Sequence, residues 1–479
     1  MNNEISLNGK RVLLLQGPVG DFFQQLQVAL QASGAEVDCV SFNGADKFLG
    51  PKAHRYDFYG DLAEWREWLA EYCRVAQPGA VILFGSERPA HKVAREMASS
   101  LNLDVWCLEE GYVRPGFITM EKDGNNAGSP MCSAFPDAEW QPDPSVDFHE
   151  ARDFKGFKAY SLKSAIYYIT RTLTTFGRRK SLYHKRFTPH VEVFHWARNV
   201  ARRWRYAQKN LSVIQTLLEH YDGRFYIVPM QIARDCNMGD AAMGWDSARL
   251  IRESLKSFAE AAPVGTRLVF KVHPLDRGHS NWEPYVNEHA RHLGIADRVD
   301  VIDTGSLGLL TRHSAGMITV TSTSGLSAIH HGVPLLVVGK AVYAHPELAM
   351  CGEGEPDFNR FWSEGFVAPE GVRRRFECWM KEMSLVPGDF YAEEGIEVAC
   401  RSVIQRLLRH EGAVIKPKMV ETSDQEGSAL TLLTTTTGKS SDTYELPSGS
   451  VSLATPRAGK RGLRSLLVGR REYPHRKIA

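Results

Sequence analysis

The strongest constraint on the fold is an alternation of strand and helix patterns that occurs twice along the chain. In the first run, apolar strand patterns at Arg11–Gln16 and Ala80–Phe84 are separated by helical patterns such as Asp61–Ala76. The second run begins near Phe225–Val228 and reaches a helix expected at Leu307–His313. Such alternation predicts parallel sheets covered by helices. The expected fold class is therefore α/β, with two Rossmann-like, doubly wound domains.

Other strands and helices expected from the same patterns complete the two runs. The strands are Glu36–Phe42, Asp104–Leu108, one ending at His273, and Val299–Ile302; the helices are Phe22–Ser33, Pro89–Ser100, Asp246–Ala261 and Trp282–Leu293.

The length of the chain and the position of the two runs predict its domains. A chain of 479 residues suits two or three domains. We expect an N-terminal domain at 1–150, which would bind the acceptor substrate of a group transfer. A C-terminal domain at 216–412 would bind the donor substrate. Two such domains facing a cleft make a GT-B-like arrangement, the architecture of many glycosyltransferases. One continuous sheet is the alternative, which the different segment between the runs disfavours.

The segment between the domains, 151–215, is basic and aromatic. Residues 151–210 contain 15 Lys and Arg, 2 Asp and Glu, and 12 aromatic residues, although the net charge of the whole chain is only +2. Basic residues interleaved with aromatic ones suit an anionic membrane surface. They also suit nucleic acid, or a helical linker whose aromatic side chains pack on the body of the protein. We expect helices here, favour membrane contact, and do not expect a nucleic-acid partner.

Composition changes again near the C-terminus. Residues 413–479 are rich in Thr, Ser and Gly and end in a basic stretch, which predicts a disordered tail. The eight cysteines show no CxxC spacing, which favours a reducing compartment. Residues 1–9 lack the apolar core of a signal peptide, and no apolar run approaches the ~20 residues that span a bilayer. We expect a cytoplasmic protein.

Two strand ends of the second run carry candidate donor-binding residues. The stretch Thr319–Pro334 reads as strand, hydroxyl-rich turn, helix and strand. Helix N-termini have unpaired N–H groups that favour anions, and hydroxyls add donors, so we expect a phosphate there. Upstream, Lys271 and His273 end another strand, at the edge where ligands bind in doubly wound sheets. The candidate donor-binding residues are Gln231, Lys271, His273, Pro274, Ser322, Thr323, Ser324 and Gly325.

Candidate catalytic carboxylates follow a strand of each run. Asp235 follows the strand at Phe225–Val228 and is placed for a nucleophile or a general base, the alternative being a helix cap. Glu109 and Glu110 follow the strand at Asp104–Leu108 and are candidates to deprotonate an acceptor hydroxyl. An ordinary charged surface turn is the alternative reading of that loop.

Other residues are candidates for holding the acceptor or a substrate carboxylate. Arg114 offers a bidentate guanidinium, and Tyr112 lies in the same loop. Gly17 and Gly20 form a tight turn after the first strand, without the spacing of a Walker loop. No metal-ligand motif appears, so we expect a metal-independent mechanism without a cofactor.

Several motifs, in order, resemble the capsule polysaccharide biosynthesis and export family, and within it the KpsS-type proteins of Gram-negative bacteria. They are LLLQGPVGDFF, LEEGYVRPGFIT, VPMQIARD, KVHPLDRG and TVTSTSGLSAIHHGVPLLVVGKAVY, and the resemblance covers about Arg11 to Leu408. It implies a retaining β-Kdo transferase that uses CMP-Kdo as donor substrate and places Kdo on a (lyso)phosphatidylglycerol acceptor.

The same resemblance implies roles and partners. His273 and Ser322–Ser324 would bind CMP, and Asp235 would be the nucleophile. The protein would act at the inner-membrane surface, beside a KpsC-type transferase that extends the oligo-Kdo linker and a capsule ABC exporter. A non-catalytic export or scaffold protein, and a GT-B transferase with another nucleotide sugar, stay open as alternatives.

Overall fold

The structure is a computed structural model that describes residues 7–98, 100–101, 103–174, 182, 189–231, 239–352 and 354–415. Both of its sheets belong to one compact unit, Met1–Arg409. Of the second unit, His410–Ala479, only the end of one helix is described, so the expected disordered tail lies outside the described residues.

The first sheet has seven strands in the order β12-β6-β5-β4-β1-β2-β3. Its strands are β1 (Arg11–Leu14), β2 (Glu36–Ser41), β3 (Arg55–Asp57), β4 (Ala80–Phe84), β5 (Asp104–Glu110), β6 (Phe117–Lys122) and β12 (Leu385–Pro387). The strands β1 to β5 pair in parallel, whereas β6 pairs antiparallel with β5. The parallel strands carry continuous apolar runs because both faces of the sheet are covered.

The second sheet has five strands, all parallel, in the order β11-β10-β7-β8-β9. They are β7 (Phe225–Pro229), β8 (Arg267–Lys271), β9 (Val299–Ile302), β10 (Gly316–Thr319) and β11 (Leu335–Val337). Two α/β domains with mainly parallel sheets, facing a cleft, confirm the expected GT-B-like fold class.

Helices alternate with these strands. Around the first sheet lie α1 (Phe22–Ala32), α2 (Gly44–Leu49), α3 (Leu62–Ala76), α4 (Pro89–Ala98) and α13 (Glu393–Ile415). Around the second lie α7 (Ser247–Ala261), α8 (Trp282–His292), α9 (Leu307–Arg312), α10 (Gly325–His331), α11 (Phe358–Ser363) and α12 (Glu370–Ser384).

Cap residues explain why the expected helix boundaries are close to the observed ones. Asp61 accepts from the backbone N–H groups of Ala63 and Glu64, and the Glu64 side chain closes a capping box at the start of α3. Asp246 caps α7 by accepting from the Arg249 N–H. Both residues were expected as the first helical residue and instead lie just before it, because a capping residue keeps an extended backbone.

The chain returns to the first sheet near its end. Strand β12 pairs antiparallel with β6, and Ile396 and Val403 of α13 pack in the apolar core of the first sheet. The last part of the segment expected as the C-terminal domain, 216–412, therefore packs on the N-terminal sheet. No local sequence pattern predicts that the chain returns to the first sheet, because β12 has only three residues.

The basic aromatic segment forms two long helices, as expected. They are α5 (Phe157–Thr174) and α6 (Pro189–His220), and residues 175–181 and 183–188 between them lie outside the described residues. Among the helices that the structure describes, none combines the length and the apolar character needed to cross a bilayer.

A buried carboxylate, that of Glu121, links β6 to Ser384, the last residue of α12 before the chain returns to the first sheet as β12. Glu121 accepts hydrogen bonds from the hydroxyls of Tyr112 (2.6 Å), Ser129 (2.5 Å) and Ser384 (2.7 Å). Burial is the main cause that raises the pKa of Glu121 from its ordinary value of 4.5 to about 7, against the lowering effect of these donors. The folded state therefore holds this proton more tightly than the unfolded state.

We predict that Glu121→Gln changes how stability depends on pH. Because the folded-state pKa is raised, the native protein loses stability as pH rises from about 4.5 through about 7. The variant has no such proton, so its free energy of unfolding should rise relative to that of the native protein by at most about 3 kcal/mol between pH 5 and 8. Urea unfolding at several pH values measures this, with the exposed Glu67→Gln as control. An equal change at every pH would contradict the prediction.

Candidate active-site cleft

One cavity of about 1480 Å³ lies at the carboxyl ends of strands from both sheets. From the first domain it is lined by Glu109, Glu110 and Arg114, and from the second by Gln231, Lys271, His273, Pro274 and Ser322–Ser324. Ligand pockets for one small molecule measure roughly 300–1000 Å³. The cavity therefore has room for a nucleotide sugar and part of a second substrate.

A side-chain amide joins two strand ends of the second sheet. Gln231 follows β7, and its amide donates to Thr321 Oγ1 at 2.8 Å and accepts from the Thr321 N–H at 3.1 Å. Strands β7 and β10 are neighbours at the point where the strand order reverses, which is where doubly wound sheets bind ligands. This pair of hydrogen bonds holds the hydroxyl turn, Thr321–Ser324, beside the cavity.

The hydroxyl turn differs in one respect from the expectation of free N–H groups at a helix start. The N–H groups of Gly325, Leu326 and Ser327 donate to the carbonyls of Ser322, Thr323 and Ser324 at 3.0–3.1 Å. The helix that follows, α10, has only seven residues. An anion at this turn would therefore meet side-chain hydroxyls rather than the first N–H groups of a long helix.

Gly325 is required by packing. A Cβ atom there would lie 2.4 Å from the ring of Tyr343, whose hydroxyl donates to the Ser322 carbonyl. The ring is buried and holds the hydroxyl turn from behind. Gly325 thus lies next to the candidate site as expected, but its role is to allow this close approach.

Lys271 brings a buried cation to the cavity. It ends β8 and is only 7% exposed. Burial is the main cause that lowers the pKa of Lys271, while the Asp303 carboxylate raises it and the Arg277 guanidinium lowers it. A buried ammonium at a cavity wall is strongly stabilised by an anionic ligand, because little water screens the pair.

The loop His273–Asn281, here called the donor loop, is held by helix α6. Asn199 donates to the Pro274 carbonyl at 2.8 Å, Arg198 to the carbonyls of Gly278 and His279, and Arg202 to that of Arg277 at 2.7 Å. Within the loop, His273 Nδ1 accepts from the Leu275 N–H at 3.2 Å. A neutral His273 therefore carries its proton on Nε2 and can donate from that atom.

On the opposite side of the cavity, Glu110 is paired with a tyrosine from the end of the chain. The Tyr391 hydroxyl donates to Glu110 Oε1 at 2.6 Å, and Arg114 lies 3.9 Å from Glu110 Oε2. Burial is the main cause that raises the pKa of Glu110, whereas the Tyr391 hydrogen bond and Arg114 lower it. A carboxylate with a raised pKa is a stronger base near neutral pH.

Glu109 and Glu110 have different surroundings although they are adjacent. Successive residues of a strand point to opposite faces, and Glu109 Oε1 accepts from the Glu110 N–H at 3.2 Å. Both line the cavity because β5 ends there. Among the described residues, only Glu110 accepts from Tyr391.

Three expected acceptor-side residues are occupied by structural contacts. Tyr112 donates to Glu121 and accepts from the Asn126 N–H at 2.6 Å, so its hydroxyl is engaged in the core although the residue borders the cavity. Gly17 and Gly20 do not line the cavity. A Cβ atom at Gly17 would meet the Phe23 ring at 2.7 Å, and one at Gly20 would meet Lys163 at 2.8 Å. Both glycines thus serve close packing.

The place where Gly17 was expected to face a ligand is filled by the protein itself. Arg88 donates to the Gln16 side chain at 3.0 Å and to the Gly17 carbonyl at 2.9 Å. Tyr167 of α5 donates to Asp46 and accepts from Gln16 at 3.0 Å. Burial is the main cause that raises the pKa of Asp46. Arg88, which follows β4, and Gln16, which follows β1, therefore fill the strand-order reversal of the first sheet, and Tyr167 of α5 lies beside Gln16.

Two further expectations concern residues or ions at the site. Asp235, the candidate nucleophile, lies outside the described residues, in the gap 232–238. Within the described part of the chain, no group of three or more His, Cys, Asp or Glu residues is arranged to hold a metal ion.

Comparison with known proteins places the chain in a family. The profile of a family described as capsule polysaccharide biosynthesis protein matches residues 79–364, more than half of the chain. The chain belongs to this family. The match spans β4 to α11 and thus most of the cavity wall. A role in capsule polysaccharide biosynthesis follows from this membership.

Relatives in capsule pathways agree with this membership. The capsule polysaccharide export protein KpsS of Escherichia coli is 29% identical over 388 residues, 81% of this chain and 98% of that protein. The capsule polysaccharide modification protein LipB of Neisseria meningitidis serogroup A is 29% identical over 401 residues, 81% of this chain and 93% of that protein. The sequence resemblance to KpsS-type capsule proteins is thereby confirmed.

Among solved structures, similarity is weaker. The β-Kdo 2,7 transferase of Thermosulfurimonas dismutans KpsC matches with a TM-score of 0.39 and 12% identity, over 83% of this chain and 100% of that chain. The UDP-GlcNAc 2-epimerase of Neisseria meningitidis, bound to UDP-GlcNAc, matches with a TM-score of 0.30 and 11% identity, over 83% of this chain and 100% of that chain.

This capsule-family cleft contains residues that the sequence patterns did not single out. Tyr391 lines it and lies 281 positions from Glu110, while Asn199 supports it from outside, 75 positions from Pro274. Only the return of the chain to the first sheet brings Tyr391 to the cavity. One available signal was Asp389, which accepts from the Tyr391 and Ala392 N–H groups just before α13 and marks an ordered turn.

We predict that Gly325→Ala destabilises this family member. The added methyl group overlaps the buried Tyr343 ring, so either the ring or the hydroxyl turn must move. Overpacking of this kind costs about 1–3 kcal/mol in the free energy of unfolding, which urea unfolding measures. The control is Gly371→Ala in α12, where a Cβ atom meets nothing within 4 Å. Equal stability of the two variants would refute this account of Gly325.

Proposed function

We propose that the protein is a retaining β-Kdo transferase that moves Kdo from CMP-Kdo to a phosphatidylglycerol-type lipid. The observation that carries the proposal is a large cavity lined by Lys271, His273 and Ser322–Ser324 from the second domain and by Glu109 and Glu110 from the first. Membership in the capsule polysaccharide biosynthesis family and the resemblance to KpsS-type proteins favour Kdo as the transferred sugar.

On the donor wall, the proposed role of the residues is to stabilise the leaving phosphate. Lys271 supplies a positive charge, His273 a ring N–H, and Ser322–Ser324 side-chain hydroxyls. Charge that develops on a leaving group is best stabilised by donors already held in place. The Gln231 amide and the Tyr343 ring hold this wall before any ligand binds.

On the opposite wall, Glu110 is the proposed general base and Arg114 the proposed partner of the Kdo carboxylate. Arg114 is 55% exposed and lies beside Glu110, so its guanidinium can turn to a substrate carboxylate. Glu109 is the second candidate base. We assign the stronger claim to Glu110, because Tyr391 orients its carboxylate.

Retention of configuration in this proposal needs two displacements. The Asp235 carboxylate attacks the anomeric carbon, the bond to the CMP phosphate breaks, and its electron pair leaves with the phosphate. The acceptor oxygen then attacks the same carbon and gives its proton to Glu110. The bond to Asp235 breaks in that step and restores the carboxylate. No metal ion or cofactor takes part in the proposed reaction.

The cellular setting is part of the same proposal. Because the proposed acceptor is a lipid, the protein would act at the surface of the inner membrane, on its cytoplasmic side. The product would begin the Kdo linker that a KpsC-type transferase extends and that a capsule ABC exporter carries onward.

A non-catalytic export role is the second candidate, favoured by the name of the Escherichia coli relative, the capsule polysaccharide export protein KpsS. A scaffold has no need of a base oriented at a cavity wall opposite a buried cation. The two candidates differ in whether the purified protein alone makes product, and a transferase with another nucleotide sugar differs only in its donor.

We predict that purified protein, CMP-Kdo and lysophosphatidylglycerol yield an acceptor heavier by one Kdo, detected by mass spectrometry. Asp235→Ala should abolish transfer and leave CMP binding intact, because the nucleophile is lost but the donor wall is not. Added EDTA should not change the rate. No product from folded protein that still binds CMP would favour the export role, and product only with another nucleotide sugar would correct the donor.

We also predict that Tyr391→Phe shifts the pH dependence of transfer. The Tyr391 hydrogen bond lowers the pKa of Glu110, so its removal raises that pKa. Since the base must be deprotonated, the acid limb of kcat/KM should move to higher pH, by up to about one unit. Tyr160→Phe is the control, because its ring packs 4.8 Å from that of Tyr391 without donating to Glu110 Oε1. An unmoved acid limb in Tyr391→Phe would remove Glu110 as the base.

A further inference from the structure

Helix α5 exposes an apolar stripe on the side that faces away from the protein. Leu162, Ile166, Ile169 and Leu173 are 63%, 44%, 57% and 64% exposed. Their spacing of three and four residues places them on one face of the helix. Soluble proteins usually bury such a stripe, so a contiguous exposed one indicates an interaction surface.

The opposite side of α5 is held against the first domain, which fixes the direction of this stripe. Tyr167 is buried and bonded to Asp46, and Lys163 lies 2.5 Å from Asp21 Oδ1. Ser164 and Arg171 on the same inner side are also buried. The helix cannot rotate its apolar stripe inward without breaking these contacts.

Helix α6 repeats the arrangement on the second domain. Val193, Trp196, Val200, Trp204 and Leu211 are 70%, 59%, 56%, 81% and 60% exposed, at a helical spacing along the outer side. The inner side carries Arg198, Asn199 and Arg202, which hold the donor loop. The two helices thus each present an apolar face outward.

The charges around these stripes identify the kind of surface that they fit. Lys158, Arg203 and Arg205 are exposed on the two helices. Across 151–210 the chain has 15 Lys and Arg against 2 Asp and Glu. Apolar side chains bordered by cations match a bilayer interface with anionic headgroups. Two copies of this face would instead bring like charges together.

We propose that the outer faces of α5 and α6 bind the surface of an anionic lipid bilayer, with their apolar stripes among the headgroups and upper acyl chains. The start of α5 also lines the cavity, through Phe157, Lys158 and Tyr160. The proposed docking surface therefore begins at the cavity wall. Only this link to the acceptor rests on the function proposed above; membrane binding itself does not.

Vesicle co-sedimentation of the full chain tests the proposal. We expect binding to vesicles of phosphatidylcholine mixed with phosphatidylglycerol, and much weaker binding to phosphatidylcholine alone or at high salt. Trp196→Ala with Trp204→Ala on α6, and Leu162→Ser with Ile169→Ser on α5, should each weaken binding at least tenfold. The matched control is Val28→Ser on α1, an exposed apolar residue outside both stripes, which should bind like the native protein.

Three outcomes would overturn the proposal. They are failure of the native protein to bind anionic vesicles, equal binding by the stripe variants and the control, and conversion of a dimer to a monomer by the stripe variants without any vesicle binding. The last, measured by sedimentation velocity, would assign the face to a second copy. Circular dichroism and urea unfolding check that the variants fold.

A transfer assay separates this proposal from the proposed function. With a short-chain acceptor in solution, the stripe variants should keep the transfer rate of the native protein. Vesicle binding without transfer to any acceptor would support the docking surface and refute the proposed transferase activity. Transfer to the short-chain acceptor without vesicle binding would support the transferase and refute the docking surface.

Discussion

Parallel pairing of strands is the constraint on which the rest of this structure depends. In a parallel sheet every strand runs the same way, so all carboxyl ends lie along one edge. Gln231, Lys271 and Thr321 follow or end three strands of the second sheet and meet there for this reason. Glu110 reaches the same cavity from the end of β5. The position of the candidate site is thus set by the direction of the strands, whichever side chains the strand ends carry.

The two sheets use their strand-order reversals differently. In the second sheet, the reversal between β7 and β10 stays open to the cavity and is braced by the Gln231 amide. In the first sheet, the corresponding point between β1 and β4 is filled by Arg88 and Gln16, and Tyr167 lies beside Gln16. A filled reversal leaves no room for a ligand, and the proposed donor-binding residues all come from the second domain.

The helices of the basic segment have a double role in this arrangement. Their inner sides make specific polar contacts: Tyr167 with Asp46 on the first domain, and Asn199 with Pro274 on the second. Because these contacts fix the orientation of each helix, the apolar residues that remain outside are held in a defined direction. The same segment therefore positions the donor loop and presents an exposed apolar surface.

Local patterns in the sequence determined the two runs of strands and helices, since periodicity and cap residues act within a few positions. Strands β4 and β9 were predicted residue for residue, and the capped starts of α3 and α7 to within one. The same patterns named Glu110, Lys271, His273 and Ser322–Ser324, because polar residues at strand ends are recognisable locally.

Only the tertiary structure decided which of these residues share a wall and what supports them. Tyr391 reaches Glu110 because β12 and α13 return to the first sheet, and that pairing spans 281 positions. The Tyr112 hydroxyl is engaged by Glu121 in the core, and Gly17 and Gly20 allow close packing against Phe23 and Lys163. Contacts of this kind depend on how elements pack, and no periodicity or motif within one segment encodes them.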